Sequence, residues 1–238
     1  LGKAVQDPLV QAVLKAGQKD GNIEDERVGV SPGVGRCTQF MPIQNEIDIA
    51  KSLGYPAERP ALVPKILKGG PVGAADLGGS PIISASDYYI VDGHHRWSQV
   101  YMINPDAAIE TMDIKIGDPE VALRAMQAAI AAVQGRVPAA QVKPGMNIFT
   151  MSEGAMAQWM DQNFGEEFVK LFIANSEAKD KKGVIEQILF NIRLMRENNK
   201  PVTDTTRGYM PQTGNKETIS QELGALQQGI VNFKEPAE

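Results

Sequence analysis

The chain of 238 residues has little of what marks a secreted or membrane protein. Its single cysteine, Cys37, excludes an internal disulfide bond and favours a reducing compartment. No uninterrupted apolar run approaches the roughly 20 residues that a membrane-spanning helix needs. The first residues, Leu1-Gly2-Lys3-Ala4, lack the charged-then-apolar pattern of a signal peptide. We therefore expect a cytoplasmic protein with no membrane partner.

Positive charge is also in short supply. The chain has 24 Lys and Arg residues against 29 Asp and Glu residues, a formal net charge of -5. Because neutralisation of phosphates by Lys and Arg supplies most non-specific nucleic-acid affinity, this balance argues against a non-specific nucleic-acid coat. A local contact with DNA is left open. The basic residues between Lys179 and Lys200 are interleaved with acidic ones, which favours a solvated helix face.

The most informative segment is Asp92-Gly93-His94-His95-Arg96, which we call the glycine turn. It follows an apolar run at 88–91 and opens into residues 97–101, so the pattern predicts a strand, a turn and then a helix. The first amides of a helix lack intrahelical partners and carry the positive end of the helix dipole. A glycine there lets a phosphate approach the backbone, and an arginine holds it by paired hydrogen bonds. All five residues are therefore candidate ligands of a phosphate or nucleotide.

The two histidines of the glycine turn are the only ones in the chain. An imidazole titrates near neutral pH, which makes His94 and His95 candidate catalytic residues for proton transfer or transition-state charge stabilisation. Neighbouring residues on a helix point about 100° apart, so we expect only one of them to face a cleft. The alternative is that both merely cap and pack the start of the helix. Adjacent histidines lack the spacing of helical metal ligands, so no metal site is predicted on the pair.

The segment 91–97, Val-Asp-Gly-His-His-Arg-Trp, resembles the signature turn of the ParB/sulfiredoxin superfamily, in the variant of ParB-like nuclease-type domains and free serine kinases. The resemblance covers about residues 37–135. Residues 81–91 read as the hairpin that precedes the turn in that family, and residues 44–53 resemble an early helix lining the same cleft. The resemblance implies a small mixed α+β domain that binds a nucleotide (ATP, ADP or CTP), with or without magnesium.

The resemblance also implies carboxylates at the site. In the serine kinase branch an acidic residue near the early helix acts as base toward the acceptor hydroxyl, and Glu46 and Asp48 are the nearest matches here. Each has the alternative of an exposed helix position. Asp92 has two interpretations as well: hydrogen bonding to the turn amides, or a ligand for metal or substrate.

Differences from the family pattern narrow the choice of branch within the superfamily. Sulfiredoxins have a cysteine where this chain has His94, so the thiol chemistry of that branch has no nucleophile here. The helices after residue 150 are too apolar and too acidic to favour the DNA-reading helix-turn-helix of chromosome-partitioning ParB proteins. What remains is a free-standing ParB/sulfiredoxin-like domain with a helical extension, similar to nucleases and kinases carried by bacteria and phages.

The family resemblance implies a ParB/sulfiredoxin-like domain at 37–135. Around it the hydrophobic periodicity and turn formers predict an N-terminal helical arm and loop (1–36), a helical extension (136–200) and a weakly structured C-terminal segment (201–238). Within them we expect a loop at 28–35 and extended or turn structure around Pro56, Pro60 and Pro64. A strand is expected at 112–116. Helices are expected from Asp7 to about 16, at 45–53, from Pro119 to about 133, at 152–174, at 184–198 and, weakly, at 217–228.

Three classes of function fit this sequence. The first is an enzyme acting on phosphoryl bonds, either a nuclease-type hydrolase or a nucleotide-dependent kinase. The second is a regulatory module that binds a nucleotide or a phosphorylated small molecule without catalysis. The third is a structural or interaction protein that retains the fold, with homo-oligomerisation left open. Fold resemblance alone does not separate them.

Overall fold

The computed structural model describes residues 27–134, 145–207, 210 and 216–229. The helix expected from Asp7 lies outside the described residues. Within them the chain forms one five-stranded mixed sheet with helices on both faces, which confirms the α+β class. No helix in these ranges is long and apolar enough to cross a membrane.

The sheet has the strand order β1-β5-β3-β4-β2. Its central pair, β3 and β4, is the antiparallel hairpin expected just before the glycine turn. β5 pairs with β1 antiparallel and with β3 parallel, and β2 pairs with β4 parallel. The strands are β1 (Val30–Arg36), β2 (Met41–Pro42), β3 (Ile82–Ala85), β4 (Tyr89–Asp92) and β5 (Ala108–Ile114).

The expectation of a loop at 28–35 is wrong, because β1 occupies most of that segment. β1 is an edge strand, so one of its sides pairs with no other strand among the described residues. Proline and glycine are tolerated in such a position, since it does not require every backbone amide to join a ladder. The sheet therefore begins before residue 37.

Eight helices lie in the described part of the chain, and most of the periodic segments are found among them. The predicted helix at 152–174 is divided in two at Phe164 and Gly165. The helices are α1 (Ile49–Glu58), α2 (Val63–Leu67), α3 (His94–Ile103), α4 (Pro119–Gln134), α5 (Glu153–Asn163), α6 (Glu166–Ile173), α7 (Lys181–Asn198) and α8 (Lys216–Gln228).

α1 begins later than its periodicity predicts. Asp48 caps it by accepting a hydrogen bond from the Ala50 amide at 2.9 Å, so residues 45–47 stay outside the helix. The prediction of extended or turn structure around Pro56, Pro60 and Pro64 is wrong, since all three lie in helical segments and Pro56 is a buried residue inside α1. Pro60 and Pro64 stand in the first turns of helical segments, where a missing amide costs nothing.

Alternation along the strands produces two apolar cores. Ile82 and Ile90 point to one face of the sheet, which packs on α1–α3 and α5–α7. Ile83 and Val91 point to the other face, which packs on α4 and α8. The predicted helical extension therefore shares a core with the mixed domain, as an amphipathic face of that width requires.

Asn199, at the end of α7, joins the helical extension to the sheet. Its side-chain amide is buried and donates to the carbonyls of Thr38 and Phe40 at 3.0 and 2.9 Å, while its oxygen accepts from the Tyr101 hydroxyl at 2.8 Å. Because loss of this side chain leaves buried polar groups unpaired, we expect Asn199→Ala to lower the free energy of unfolding by about 2–4 kcal/mol.

The measurement is urea denaturation. Asn198→Ala is the matched control, because the exposed neighbour should change stability by less than about 0.5 kcal/mol. If Asn199→Ala lowered the free energy of unfolding by less than about 1 kcal/mol, these hydrogen bonds would not be what holds the helical extension to the sheet.

Candidate functional site

The glycine turn stands where β4 ends and α3 begins. Gly93 has φ +91° and ψ 24°, a left-handed conformation that glycine adopts without steric cost. The first intrahelical bond runs from the Trp97 amide to the Gly93 carbonyl at 2.8 Å, and no side chain caps the helix. The amides of His94, His95 and Arg96 are therefore the uncapped start of α3, as the sequence predicts.

Arg96 lies against the same glycine. Its Nη2 donates to Asp92 Oδ2 at 2.9 Å and to the Pro81 carbonyl at 3.0 Å. A Cβ built on Gly93 would stand 2.9 Å from Nη2 and 3.0 Å from Nε of this guanidinium. Glycine is thus required twice, for its positive φ and for the space that the arginine fills. Asp92 binds the arginine and so holds it in place.

His94 is buried, and both of its ring nitrogens are in use. Nε2 accepts from the amides of Ile43 at 3.2 Å and Gln44 at 3.1 Å. A further hydrogen bond joins the ring to the Ile90 backbone. Burial above all, together with the nearby positive groups, lowers the pKa of His94 to about 3. These contacts favour the alternative in which His94 packs the start of the helix.

His95 is partly buried and accepts from the Asp48 amide through Nε2 at 3.1 Å. Desolvation is the largest cause that lowers its pKa to about 3, and the charges of Arg207, Lys51 and Arg96 lower it further. The ring is therefore neutral at physiological pH. Its low pKa makes it a weak base, although it remains beside the predicted phosphate position.

Glu46 and Asp48 lie on the segment that crosses the glycine turn, so the structure does bring them to the site. Glu46 is exposed, and its Oε2 accepts from the Arg207 amide at 3.1 Å. Asp48 uses Oδ1 to cap α1, and Gly145 packs closely against its carboxylate. Each carboxylate thus has a structural contact in addition to any chemistry it performs.

Two cations at this place were missed by the sequence analysis. Lys51 lies in the first turn of α1 and is exposed. Arg207 arrives because residues 202–205 run beside residues 42–45, where the Val202 amide donates to Pro42 and the Asn45 amide to Thr205 at 3.0 and 2.9 Å. Lys51 follows Asp48 by three residues, and this spacing could have placed Lys51 near the site. No residue close to Arg207 in the sequence indicated that Arg207 would reach it.

The positive charges act on one another. The pKa of Lys51 is lowered by desolvation first and by Arg207 second, while Asp48 raises it. The pKa of His95 is lowered by Arg207, Lys51 and Arg96, so three cations lie near enough to act on this neutral ring at the start of α3. We call Lys51, Arg96 and Arg207 the cation cluster. Repulsion of this kind is relieved by a bound anion.

Asn147 fixes the segment that carries the carboxylates. Its Oδ1 accepts from the Ile47 amide at 3.3 Å, and its Nδ2 donates to the Asn45 carbonyl at 3.0 Å.

Among the described residues no group of three or more His, Cys, Asp or Glu side chains is placed to hold a metal ion. Two cavities, of about 620 and 480 Å³, lie away from the glycine turn.

The lowered pKa values predict how stability depends on pH. The unfolded histidines take up protons near pH 6.5, whereas the folded ones do so only near pH 3, so folding stability is complete above 6.5 and falls as the pH drops. Between about pH 7.5 and 5.5 each histidine should cost about 1.4 kcal/mol of unfolding free energy.

Urea denaturation across that window measures the effect, which belongs to the two histidines because the chain has no others. His95→Gln should halve the pH dependence, and the double variant with His94→Gln should abolish it. A parent protein whose unfolding free energy stays constant over the window would show that the histidines are not held neutral.

Comparison with protein-family models, with curated proteins and with solved structures gives no match. The case for a function therefore depends on the residues and geometry described above.

Proposed function

We propose that this chain is a ParB-like domain that binds the phosphate of a nucleotide or a phosphorylated small molecule at the glycine turn, in the cytoplasm, and acts on phosphoryl bonds there. The observation that carries the proposal is the cation cluster at the uncapped start of α3. Backbone amides and paired positive charges together are the usual means of holding a phosphate.

Each residue has a distinct part in this proposal. The amides of His94 to Arg96 point along the helix axis to the phosphate, and the guanidinium of Arg96, set by Asp92, supplies charge. Lys51 and Arg207 supply further charge near His95, since both lower its pKa. The neutral His95 ring adds no fourth charge to these cations.

Phosphoryl chemistry needs a group that orients or deprotonates the nucleophile. The histidines are poorly suited to it, since their Nε2 atoms already accept from backbone amides. Glu46 and Asp48 are the carboxylates within the site, and either is able to serve directly or through a nucleotide-bound magnesium ion.

A non-catalytic nucleotide-binding module is the second candidate. The occupied histidines favour it, because the only two imidazoles of the chain act as neutral structural acceptors. Binding at the glycine turn is common to both candidates, so binding is tested first.

We expect at least one of inorganic phosphate, pyrophosphate, ATP, ADP, CTP or GTP, with magnesium, to raise the melting temperature. A ligand at about 100 times its Kd adds about 2.7 kcal/mol of stability. Arg96→Lys keeps the charge but loses the planar donor pair, and Lys51→Gln removes a charge, so each should weaken binding about tenfold or more in titration calorimetry.

Lys182→Gln is the matched control, since this lysine is 84% exposed on α7 and pairs with its helix neighbour Glu186. Affinity within a factor of two of the parent in both site variants would place binding elsewhere. No response of the parent to any of the six ligands would refute the proposal.

For catalysis, the variants Asp48→Asn and Glu46→Gln keep the local hydrogen bonds while removing the charge, because Asn also caps helices well. We expect one of them to lower turnover about 100-fold or more with nucleotide affinity unchanged. Nucleotide hydrolysis, DNA cleavage and phosphoryl transfer to free serine are the assays. A parent inactive in all three would leave the binding module as the function.

A further inference from the structure

The sheet face that packs on α1–α3 and α5–α7 changes character along its strands. Ile82 and Ile109 belong to the apolar core. Two residues further along the same strands, Ser84 and Thr111 lie on the same face, because side chains alternate with a period of two. Both are buried, and Ser84 Oγ donates toward Asp113 Oδ1 at 2.8 Å and Thr111 Oγ1 at 3.2 Å. This end of the face is built from polar groups.

A cavity of about 480 Å³ opens over this polar end, within the size range of small-molecule sites. It lies between β1 and the turn that joins β3 to β4. Tyr88, which is 44% exposed, and Asp87 form its wall on the side of that turn. Thr111 and Gln39 contribute polar side chains to the lining.

Two glycines of β1 create the space. A Cβ on Gly33 would lie 2.9 Å from Thr111 Oγ1 and 3.8 Å from Asp87 Oδ1. A Cβ on Gly35 would lie 2.9 Å from the buried Phe40 ring and 3.0 Å from Gln39 Oε1. A side chain at residue 33 would cover the Thr111 hydroxyl, so Gly33 leaves that hydroxyl open to a ligand, whereas Gly35 leaves room for Phe40 and Gln39.

The charges around the cavity disfavour an anionic ligand. Lys115 Nζ contacts Asp113 Oδ2 at 2.8 Å and both Asp87 oxygens at 3.1 Å, so two carboxylates surround one ammonium. Asp87 is fixed in the left-handed region at φ +57°, and its amide donates to Asp113 Oδ1 at 2.7 Å. The net charge of these three groups is negative, which disfavours a phosphate here.

We infer that this cavity is a second binding site, for a neutral sugar. A sugar presents hydroxyl groups to polar side chains and a flat C–H face to an aromatic ring. Tyr88 supplies the ring, and Asp87 supplies acceptors. The Thr111 hydroxyl supplies a donor, as does Gln39 Nε2, since Gln39 Oε1 already accepts from the Arg36 amide at 2.8 Å.

This site is separate from the proposed phosphate site. Tyr88 precedes β4 and Asp92 ends it, so the two sites stand about 13 Å apart along the strand. The inference therefore holds or fails independently of the proposed function.

The test is protein-observed NMR of the full chain, titrated with glucose, galactose, mannose, ribose and N-acetylglucosamine. We expect at least one sugar to shift the amide signals of Gly33, Gly35, Tyr88 and Thr111 in a saturable manner. Gly33→Ala should weaken that binding about tenfold or more, because its Cβ occupies the cavity. Gly54→Ala, where a Cβ meets nothing within 4 Å, is the matched control.

Tyr88→Ala is the second variant, since an exposed side chain can be removed even if Gly33→Ala fails to fold. The inference is overturned if no sugar shifts these signals, if Tyr88→Ala binds as tightly as the parent, or if sulfate and phosphate perturb the same amides more strongly than any sugar.

Discussion

The proposed site depends on the hydrogen bonds that the ring of His94 accepts, because they connect the start of α3 to the segment after β2. One nitrogen accepts the amides of Ile43 and Gln44, so the segment after β2 is held against the start of α3. The ring of His95, the next residue, accepts a hydrogen bond from the Asp48 amide in the same way. An acceptor of this kind exists only while the ring is neutral, and burial keeps it so by lowering the pKa. The two histidines thus position the carboxylates and the start of α1, and the choice of histidine at the turn is explained without proton transfer.

Around the neutral ring of His95 the chain gathers positive charge from three separate segments. Lys51 lies in α1 and Arg207 follows the 202–205 segment, and the charge of Arg207 lowers the pKa of Lys51. A protein carries such repulsion most readily where function requires it, because a bound anion then offsets it. Asp92 and Pro81 fix the guanidinium of Arg96 before any ligand arrives. Preorganised charge beside an uncapped helix start is the physical basis of the phosphate proposal.

Local pattern was sufficient for much of the fold. The hairpin before the glycine turn, the helix that Asp118 and Pro119 begin, and the long helix α7 follow from alternation, capping and helical periodicity, which are properties of neighbouring residues. β1 was missed because its glycines and proline are typical of loops, and only its pairing with β5 as an edge strand makes it a strand. The later start of α1 was missed because Asp48 competes as a cap with the helical pattern that precedes it.

At the glycine turn, too, some features follow from neighbouring residues in the sequence and others only from the tertiary structure. From the sequence alone it was possible to determine the change from strand to helix, the need for a glycine at residue 93 and the proximity of Arg96, since all of these involve residues within one turn of each other. Only the tertiary structure decided the state of the histidines, because their pKa values depend on burial and on charges from distant segments. It alone also brought Arg207 to Glu46, which is 161 residues away along the chain. Short-range geometry is encoded by neighbours, whereas the electrostatics of a site is a sum over everything that the fold packs around it.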